Sequence, residues 1–264
     1  MFGSHCKSFH PGRAAQNGLL AAVMAEGGYT SSEGALEAKR GWAVVVGTNK
    51  PDVLQSLDNW LSTENEDGLA GQCTGRWEIL RNSFKPFPCG IVIHPVIDAC
   101  IQLHAALIRD GHSSEQIKSV MVEVHPLVLE LTGKKTPKDG LEAKFSVYHS
   151  GACGLILGRV TPSEYEDNVV LDPAIMAIRD RISAKIDTSI TPDSAKVSVV
   201  LRSGDVFTKY VERAVGSRAN PLSDIKLKKK FIDGCRIVEI PDAEAVSERY
   251  LGLETLDDMR QLTE

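Results

Sequence analysis

The sequence predicts a helical body into which a smaller α/β domain is inserted. Three observations support this prediction: the first segments are rich in alanine and leucine, the middle segments are valine-rich or alternate, and helical patterns return after residue 220. The chain has 264 residues, which is enough for one large domain or two modest ones.

The first part of the chain is predicted to be helical. Residues 12–28 are rich in alanine and leucine and end in two glycines, which predicts a buried helix. Residues 30–42 begin with capping Thr and Ser residues and end at Gly41, which predicts a second, short helix. Residues 51–62 place four apolar side chains on one side after an initial proline and predict a third helix.

The pattern then changes to a mixture of strands and helices. Residues 76–84 alternate as a strand does and lead into a proline-rich loop. Residues 94–111 predict an amphipathic helix, residues 117–131 are valine-rich and predict a strand, and residues 139–160 predict a helix with small residues.

The last third begins with helix and hairpin signals. Residues 172–186 begin as a helix at Pro173. Residues 195–212 contain two alternating runs joined by "RSGD", which is typical of a β-hairpin. From residue 220 to the end the chain returns to helix.

Composition and charge argue against several classes of function. Hydrophobic residues make up 42% and charged residues 25%, and the net charge is −5, so the balance does not favour nucleic-acid binding. The basic cluster "KLKKKF" at 226–231 is most simply a solvated helix face. Charges or prolines interrupt every apolar run, so we expect no membrane span, and the first residues lack a secretory signal core. Six cysteines without paired spacing predict neither a disulfide framework nor a zinc site, and hence a reducing intracellular setting.

The stretch "FKPFPCGIVIH" (84–94) carries one cation in an apolar context. Its two prolines exclude a regular helix and disfavour a central strand, so we expect a stiff loop that holds Lys85. Lys85 either reaches water while its stem covers the core or binds an anion. His94, at a helix start, is expected to be a capping or core residue that pairs with Asp98 one turn later.

A second group of cations lies at the start of the chain. His5, Lys7, His10 and Arg13 come just before or at the beginning of the first predicted helix. Cations beside free backbone N–H groups suit a carboxylate, and the alternative is a solvated tail. The segment "GSRANPLSD" (216–224) is interpreted as turn chemistry without a function. No nucleophile elbow, P-loop, dinucleotide fingerprint or metal-ligand cluster is present in the sequence.

Four blocks together resemble the MmgE/PrpD family: "KSFHPGRAAQNGLLAAVMA", "GYTSSEGALEAKRGW", "FKPFPCGIVIHPVIDA" and "GSRANPLSDIKLKKKF". That family includes 2-methylcitrate dehydratases and cis-aconitate decarboxylases. The resemblance implies a helical body (residues 1–80 and 218–264) and a smaller α/β lid domain (residues 81–217), with the active site in the cleft between them.

The resemblance also implies roles for four residues. Lys7 and Lys85 correspond to family lysines that reach the cleft from opposite domains, and both are expected to act in catalysis and in substrate binding. Two ammonium groups suit a small acid with two or three carboxylates. His10 and His94 match family motif positions and are expected to bind substrate. No metal or organic cofactor is implied.

The chain also departs from the family pattern. Full-length members carry a helical segment before the point that corresponds to Met1, with an aspartate and a histidine implicated in catalysis, and some have a histidine at the position of Gly90. We therefore expect an N-terminally truncated or split product with little turnover of its own. The expected activity is dehydration of a 2-methylcitrate-like acid; the alternatives are cis-aconitate decarboxylation or a silent fragment that binds carboxylates or a partner chain. A cytoplasmic homodimer is expected, with mitochondria as the alternative location and with helix 12–28 or 51–62 near the dimer contact.

Overall fold

The computed structural model describes residues 4–36, 38–46 and 82–258. Contacts divide the chain into two compact units, His5–Asn82 and Met1–Ser4 with Ser83–Glu264. The predicted helix 51–62 and most of the predicted strand 76–84 lie outside the described residues.

The smaller unit contains one long helix. Helix α1 (Cys6–Glu26) ends at Gly27, whose backbone N–H donates to the carbonyl of Val23 over 3.1 Å. It begins earlier than predicted because Pro11 is accommodated in its second turn. No residue of α1 is buried among the described residues, so the prediction of a buried helix is wrong.

The predicted helix 30–42 is also wrong. Residues 33–36 and 39–40 form turns, and the short helix α2 (Trp42–Val45) begins where the predicted helix was to end. The chain folds back tightly here, because a β carbon at Gly41 would lie 2.7 Å from the carbonyl oxygen of Leu36. Gly41 therefore precedes a helix instead of ending one.

The larger unit holds the remaining described helices and all the described strands. Its helices in chain order are α3 (His94–Arg109), α4 (Pro126–Thr132), α5 (Gly140–Ala143), α6 (Val147–Leu157), α7 (Asp167–Val170), α8 (Pro173–Arg179), α9 (Asp224–Ile237) and α10 (Ala243–Leu251). Its strands are β1 (Ile117–Val124), β2 (Ile182–Ile186), β3 (Ala195–Leu201) and β4 (Val206–Val211).

The strands form one mixed sheet in the order β2-β1-β3-β4. Strands β1 and β2 are parallel, and the other neighbouring pairs are antiparallel. Val122 in β1 pairs with Ala184 on one side and Val197 on the other. Burial alternates along β3, so every second side chain points to one core face of the sheet.

Helices α3 and α6 cover this core face. Helix α3 packs on β3, β4 and α6, while α6 packs on β2 and α8. The two helices approach closely, because a β carbon at Gly154 would lie 2.9 Å from the β carbon of Cys100. Val96, Ile97 and Val120 are fully buried in this core, and burial of each side chain contributes roughly 1.5–3 kcal/mol.

The stretch Ile91–Arg109 is, by length and composition, long and apolar enough to cross a membrane. The expectation that no apolar run reaches this length therefore does not hold. More than half of the stretch is buried inside the protein, and a buried core helix passes the same test.

The mixed α and α/β class predicted from the sequence is confirmed. Helix 94–111, the strand within 117–131 and the hairpin within 195–212 appear as α3, β1 and β3–β4. The predicted helix 139–160 is divided into α5 and α6, and the helix from Pro173 ends before the unpredicted strand β2. Residues 218–264 belong by their contacts to the larger unit, and their place in a helical body stays a prediction.

Candidate active site

The loop before α3 holds Lys85 at the surface of the larger unit. Phe87 and Cys89 are buried and anchor the loop in the core, whereas Lys85 is exposed. The Lys85 ammonium donates a hydrogen bond of 3.1 Å to the carbonyl of Cys89. This hydrogen bond links the two ends of the loop. Because an ammonium group has three donors, Lys85 can still donate hydrogen bonds to a ligand.

Residues 213–220 form a bracing loop that packs against the loop holding Lys85. The backbone N–H of Phe84 donates to the carbonyl of Gly216 over 3.1 Å. Gly216 has a φ of +84°, and a β carbon there would overlap the carbonyl oxygen of Phe84 and lie 2.7 Å from Cδ of Pro86. Only glycine allows this close approach, so the two loops form one packed structure.

The buried thiol of Cys89 fixes the C-terminal end of the loop that holds Lys85 (the lysine loop). The Cys89 thiol interacts with the hydroxyl of Tyr165, which is also within 2.8 Å of Ser150 Oγ. Burial raises the pKa of Cys89 to about 12, so this thiol is neutral and is not a nucleophile at neutral pH. The cysteine of the "KPFPC" motif thus anchors the loop instead of reacting.

His94 begins helix α3 directly after the loop. Its ring is 2% exposed and meets the ring of Phe87 edge-on at a centroid distance of 5.3 Å. Burial and then the Lys85 ammonium lower the pKa of His94 to about 4, although hydrogen bonds to the backbone of Cys89 and Phe87 act in the opposite direction. The structure thus brings His94 and Lys85 together, and His94 is neutral at pH 7, too weak a base for proton abstraction.

The predicted pairing of His94 with Asp98 is wrong. Asp98 instead accepts hydrogen bonds from Gln102 Nε2 over 2.9 Å and from the backbone N–H of Val215 over 3.3 Å. Asp98 therefore ties helix α3 to the bracing loop. It serves the site by holding that loop in position.

A cavity of about 390 Å³ opens beside His94. The start of α3, the bracing loop and Asp193 form its walls, and the basic side chains among its lining residues are His94, Arg213 and Arg218. The sequence interpretation of "GSRANPLSD" as turn chemistry missed this role. Two arginines within six residues of a glycine-containing loop were the signal that could have indicated it.

Lys7 and His10 lie in the other unit, on neighbouring turns of α1. Lys7 is half-buried, and His10 is exposed with its Nδ1 3.4 Å from the carbonyl oxygen of Cys6. Because α1 begins at Cys6, Lys7 is part of the first helical turn instead of preceding the helix. Their substrate roles, like those of Lys85 and His94, stay predictions.

Among residues 4–36, 38–46 and 82–258, no three His, Cys, Asp or Glu side chains are arranged to hold a metal ion. The cysteines in these ranges are all free thiols.

Comparison with known proteins places the chain in a family. Residues 2–55 match the MmgE/PrpD N-terminal domain and residues 87–249 match the MmgE/PrpD C-terminal domain. The chain therefore belongs to the MmgE/PrpD family, which confirms the resemblance seen in the sequence. The C-terminal domain match extends beyond the sheet through α9 and into α10.

Individual relatives include both activities expected from the sequence. The chain is 24% identical to cis-aconitate decarboxylase of Homo sapiens over 97% of its own length and 52% of the relative, and 21% identical to that of Mus musculus over 97% and 51%. It is 30% identical to 2-methylcitrate dehydratase of Cupriavidus necator over 40% of its length and 22% of the relative. The chain thus spans about half the length of the decarboxylases that it matches.

Proposed function

We propose that this protein is a lyase for a small tricarboxylic acid and that it dehydrates a substrate resembling 2-methylcitrate. The observation that supports this most directly is the braced loop that holds Lys85 close to His94, and His94 in turn lines the cavity. An ammonium held in place before the ligand arrives binds a carboxylate at a lower ordering cost. Membership of the MmgE/PrpD family supports the same reaction class.

The proposed chemistry explains why cations are needed. Dehydration removes a proton from a carbon next to a carboxylate, and the hydroxyl leaves as water as the double bond forms. Negative charge builds up on that carboxylate in the transition state, and a fixed ammonium stabilises it. Lys85 would supply this charge from the larger unit and Lys7 from α1, while His10 and His94 would contact the substrate. No metal or organic cofactor takes part in this proposal.

Decarboxylation of cis-aconitate is the second candidate. It is favoured by the cis-aconitate decarboxylases, which align with 97% of the chain, whereas the dehydratase from Cupriavidus necator aligns with 40%. Loss or gain of the conjugated double bond with citrate, 2-methylcitrate and cis-aconitate, followed by ultraviolet absorbance, separates a lyase from a catalytically silent protein. Release of CO2 from cis-aconitate identifies decarboxylation, because hydration of cis-aconitate would lower the absorbance as well. Binding without turnover would instead indicate a catalytically silent carboxylate-binding protein.

The family resemblance also supports a proposal for the arrangement of the whole protein. In it, residues 1–80 and 218–264 form a helical body, residues 81–217 form a lid, and the substrate lies in the cleft between them. We further propose a homodimer formed through the helical body and a location in the cytoplasm, with mitochondria as the alternative. A monodisperse monomer in light scattering at micromolar concentration would contradict the dimer. Neither nucleic acid nor a membrane is a proposed partner.

The proposed role of Lys85 is tested by removing its charge. Lys85→Met keeps most of the aliphatic stem, and we expect it to weaken citrate or cis-aconitate binding by about 1.5–3 kcal/mol, the range for a hydrogen bond to a charged group. Lys7→Met should have a similar effect. Calorimetric titration of the full chain measures both.

Lys229→Met is the matched control. Lys229 lies in the same unit on α9, is exposed, and makes no hydrogen bond or ion pair with the described residues. Its replacement should leave binding unchanged. Small and equal effects at Lys85 and Lys229 would mean that Lys85 only covers the core with its stem, and the proposal would then fail.

A further inference from the structure

Helices α9 and α10 form a hairpin that stands apart from the main core of the larger unit. The two helices pack mainly on each other. The rings of Phe231 and Tyr250 meet across the hairpin at a centroid distance of 5.6 Å, and Lys228 of α9 forms an ion pair with Glu248 of α10. Among the described residues, the main hydrophobic core includes none from either helix, so the hairpin is not packed into that core.

An apolar groove of about 670 Å³ runs between these two helices. Five large hydrophobic side chains that line it are between 37% and 67% exposed: Phe231, Val238, Ile240, Tyr250 and Leu251. A concentration of exposed apolar surface with a polar rim is typical of a protein–protein interface. The hairpin therefore presents an apolar face that a partner can cover.

The charges of the hairpin are unequally distributed between its two ends. Residues 226–230 at the start of α9 include four lysines (the basic end), whereas residues 239–244 between the helices include three acidic residues and no basic one (the acidic turn). Lys226, Lys230 and Glu239 are exposed, and none of their side chains makes a hydrogen bond or an ion pair with the described residues. Charges at both ends are thus available to a partner.

This distribution of charge fits a second copy of the same chain. Lys226 lies in the first turn of α9, about 17 Å along the helix from Ile237, and Glu239 comes after that residue, so the two cannot pair within one copy. When two copies are related by a two-fold axis and their α9 helices are antiparallel, the basic end of each meets the acidic turn of the other. Complementary potentials of this kind steer association and fix the register of an interface.

We propose that the groove between α9 and α10 is the contact face of a homodimer in which the hairpins of two copies pack antiparallel. The apolar side chains of the two grooves cover each other at the centre, and the basic end of each copy lies against the acidic turn of its partner. This inference rests on the homodimer in the proposed function and names its contact face. It does not depend on the lyase activity.

The experiment exchanges charges between the two ends of the hairpin. One variant combines Lys226→Glu with Lys230→Glu, and the other carries Glu239→Lys alone. Each variant places like charges opposite each other in its own dimer. We expect each to raise the dimer dissociation constant of the full chain about 10- to 100-fold in analytical ultracentrifugation at low salt, because exposed charges at an interface are only partly screened.

Mixing the two variants separates contact between copies from effects within one copy. In the mixed dimer every opposed pair again has opposite charges, so its dissociation constant should return to about that of the wild type. Recovery on mixing also shows that both variants are folded. The control combines Lys118→Glu with Lys135→Glu, which changes the net charge equally at exposed lysines outside the hairpin and should leave the dimer unchanged.

The possible failures are distinguishable. A wild type that stays monomeric at micromolar concentration would overturn both this contact face and the proposed homodimer, and would leave the groove to a different partner. A dimer that both charge variants retain would overturn this face alone and leave helix 12–28 or 51–62 as the expected contact. Variants that dissociate and do not recover on mixing would overturn the antiparallel arrangement. The lyase function is tested separately by turnover.

Discussion

Replacement of Gly216 by alanine tests whether the bracing loop holds the lysine loop in position. A residue with a β carbon at φ +84° costs about 1–2 kcal/mol. The added carbon would also overlap the carbonyl oxygen of Phe84 and lie 2.7 Å from Pro86 Cδ. Overpacking of this kind typically costs about 1–3 kcal/mol more. We expect Gly216→Ala to lower the free energy of unfolding by about 2–5 kcal/mol.

Gly111→Ala measures the free-energy cost of placing alanine at a positive φ without the cost of steric overlap. Gly111 has a φ of +79°, close to that of Gly216, but a β carbon there would meet no atom within 4 Å. Its replacement should therefore cost only the backbone term, about 1–2 kcal/mol. The smaller conformational entropy of unfolded alanine affects both variants alike and cancels in the comparison.

Urea denaturation of the wild type and the two variants measures these differences, and citrate calorimetry on the folded variants reports on Lys85. If the brace positions Lys85, Gly216→Ala should weaken citrate binding at least several-fold, whereas Gly111→Ala should leave it unchanged. Equal unfolding free energies for the two variants would refute the reasoning about contact, because the overlap at Gly216 would then have no cost.

Three further predictions concern His94, Gly158 and Glu164. The imidazole of His94 should stay neutral in NMR titrations down to about pH 5, and Lys85→Met should raise its titration midpoint, because the Lys85 ammonium contributes to the lowered pKa of about 4; a midpoint near 6.5 in the wild type would contradict this. Gly158→Ala should lower the free energy of unfolding by about 2–4 kcal/mol, because φ is +62° and the added carbon would lie 2.7 Å from His104 Nε2. His104→Ala added to it should cost less than the sum of the single changes in urea denaturation, and simple additivity would exclude the clash. Burial raises the pKa of Glu164, but hydrogen bonds from a neighbouring threonine and arginine outweigh it and lower the pKa below 4.5, so its stabilising effect should be present above pH 4.5 and lost as the pH falls further. Glu164→Gln should therefore lose less stability than the wild type between pH 5 and 3 in urea denaturation, and parallel pH profiles would count against the assignment.

Sequence patterns predicted those elements of the larger unit whose periodicity and turns lie close together in the sequence. Helix α3 and the hairpin β3–β4 were predictable because their periodicity is strong and their turns lie nearby in sequence. Strand β2 was missed because its five residues follow a helix directly, and its pairing with β1 is set by tertiary contact. The predicted helix 30–42 failed because a close contact at Gly41, which no periodicity reveals, folds the chain back.

The candidate site also combines residues that a local motif reveals with residues that only tertiary contacts bring together. Lys85 and His94 could be singled out because they lie in one short motif, and the structure places them together. Arg213 and Arg218 carried a weaker signal, two arginines near one loop glycine, and only contacts between segments more than a hundred residues apart place them at the same cavity as His94. The expected pair of His94 with Asp98 was wrong for the same reason, since Asp98 bonds to Val215, which local spacing does not reveal.

The parallel pairing of β1 with β2 has a consequence for the order of folding. Strands β3 and β4 are joined by residues 202–205, whereas β1 reaches β2 only after residues 125–181. The entropic free-energy cost of closing the longer connection is greater by about 2 kcal/mol. Strand β2 should therefore join the sheet after the hairpin has formed. It is also an edge strand of five residues, most of whose side chains are exposed or half-buried. The amides of Ile182–Ile186 should therefore exchange with solvent sooner than those of β3, and the sheet should begin to unfold at the edge farthest from the hairpin.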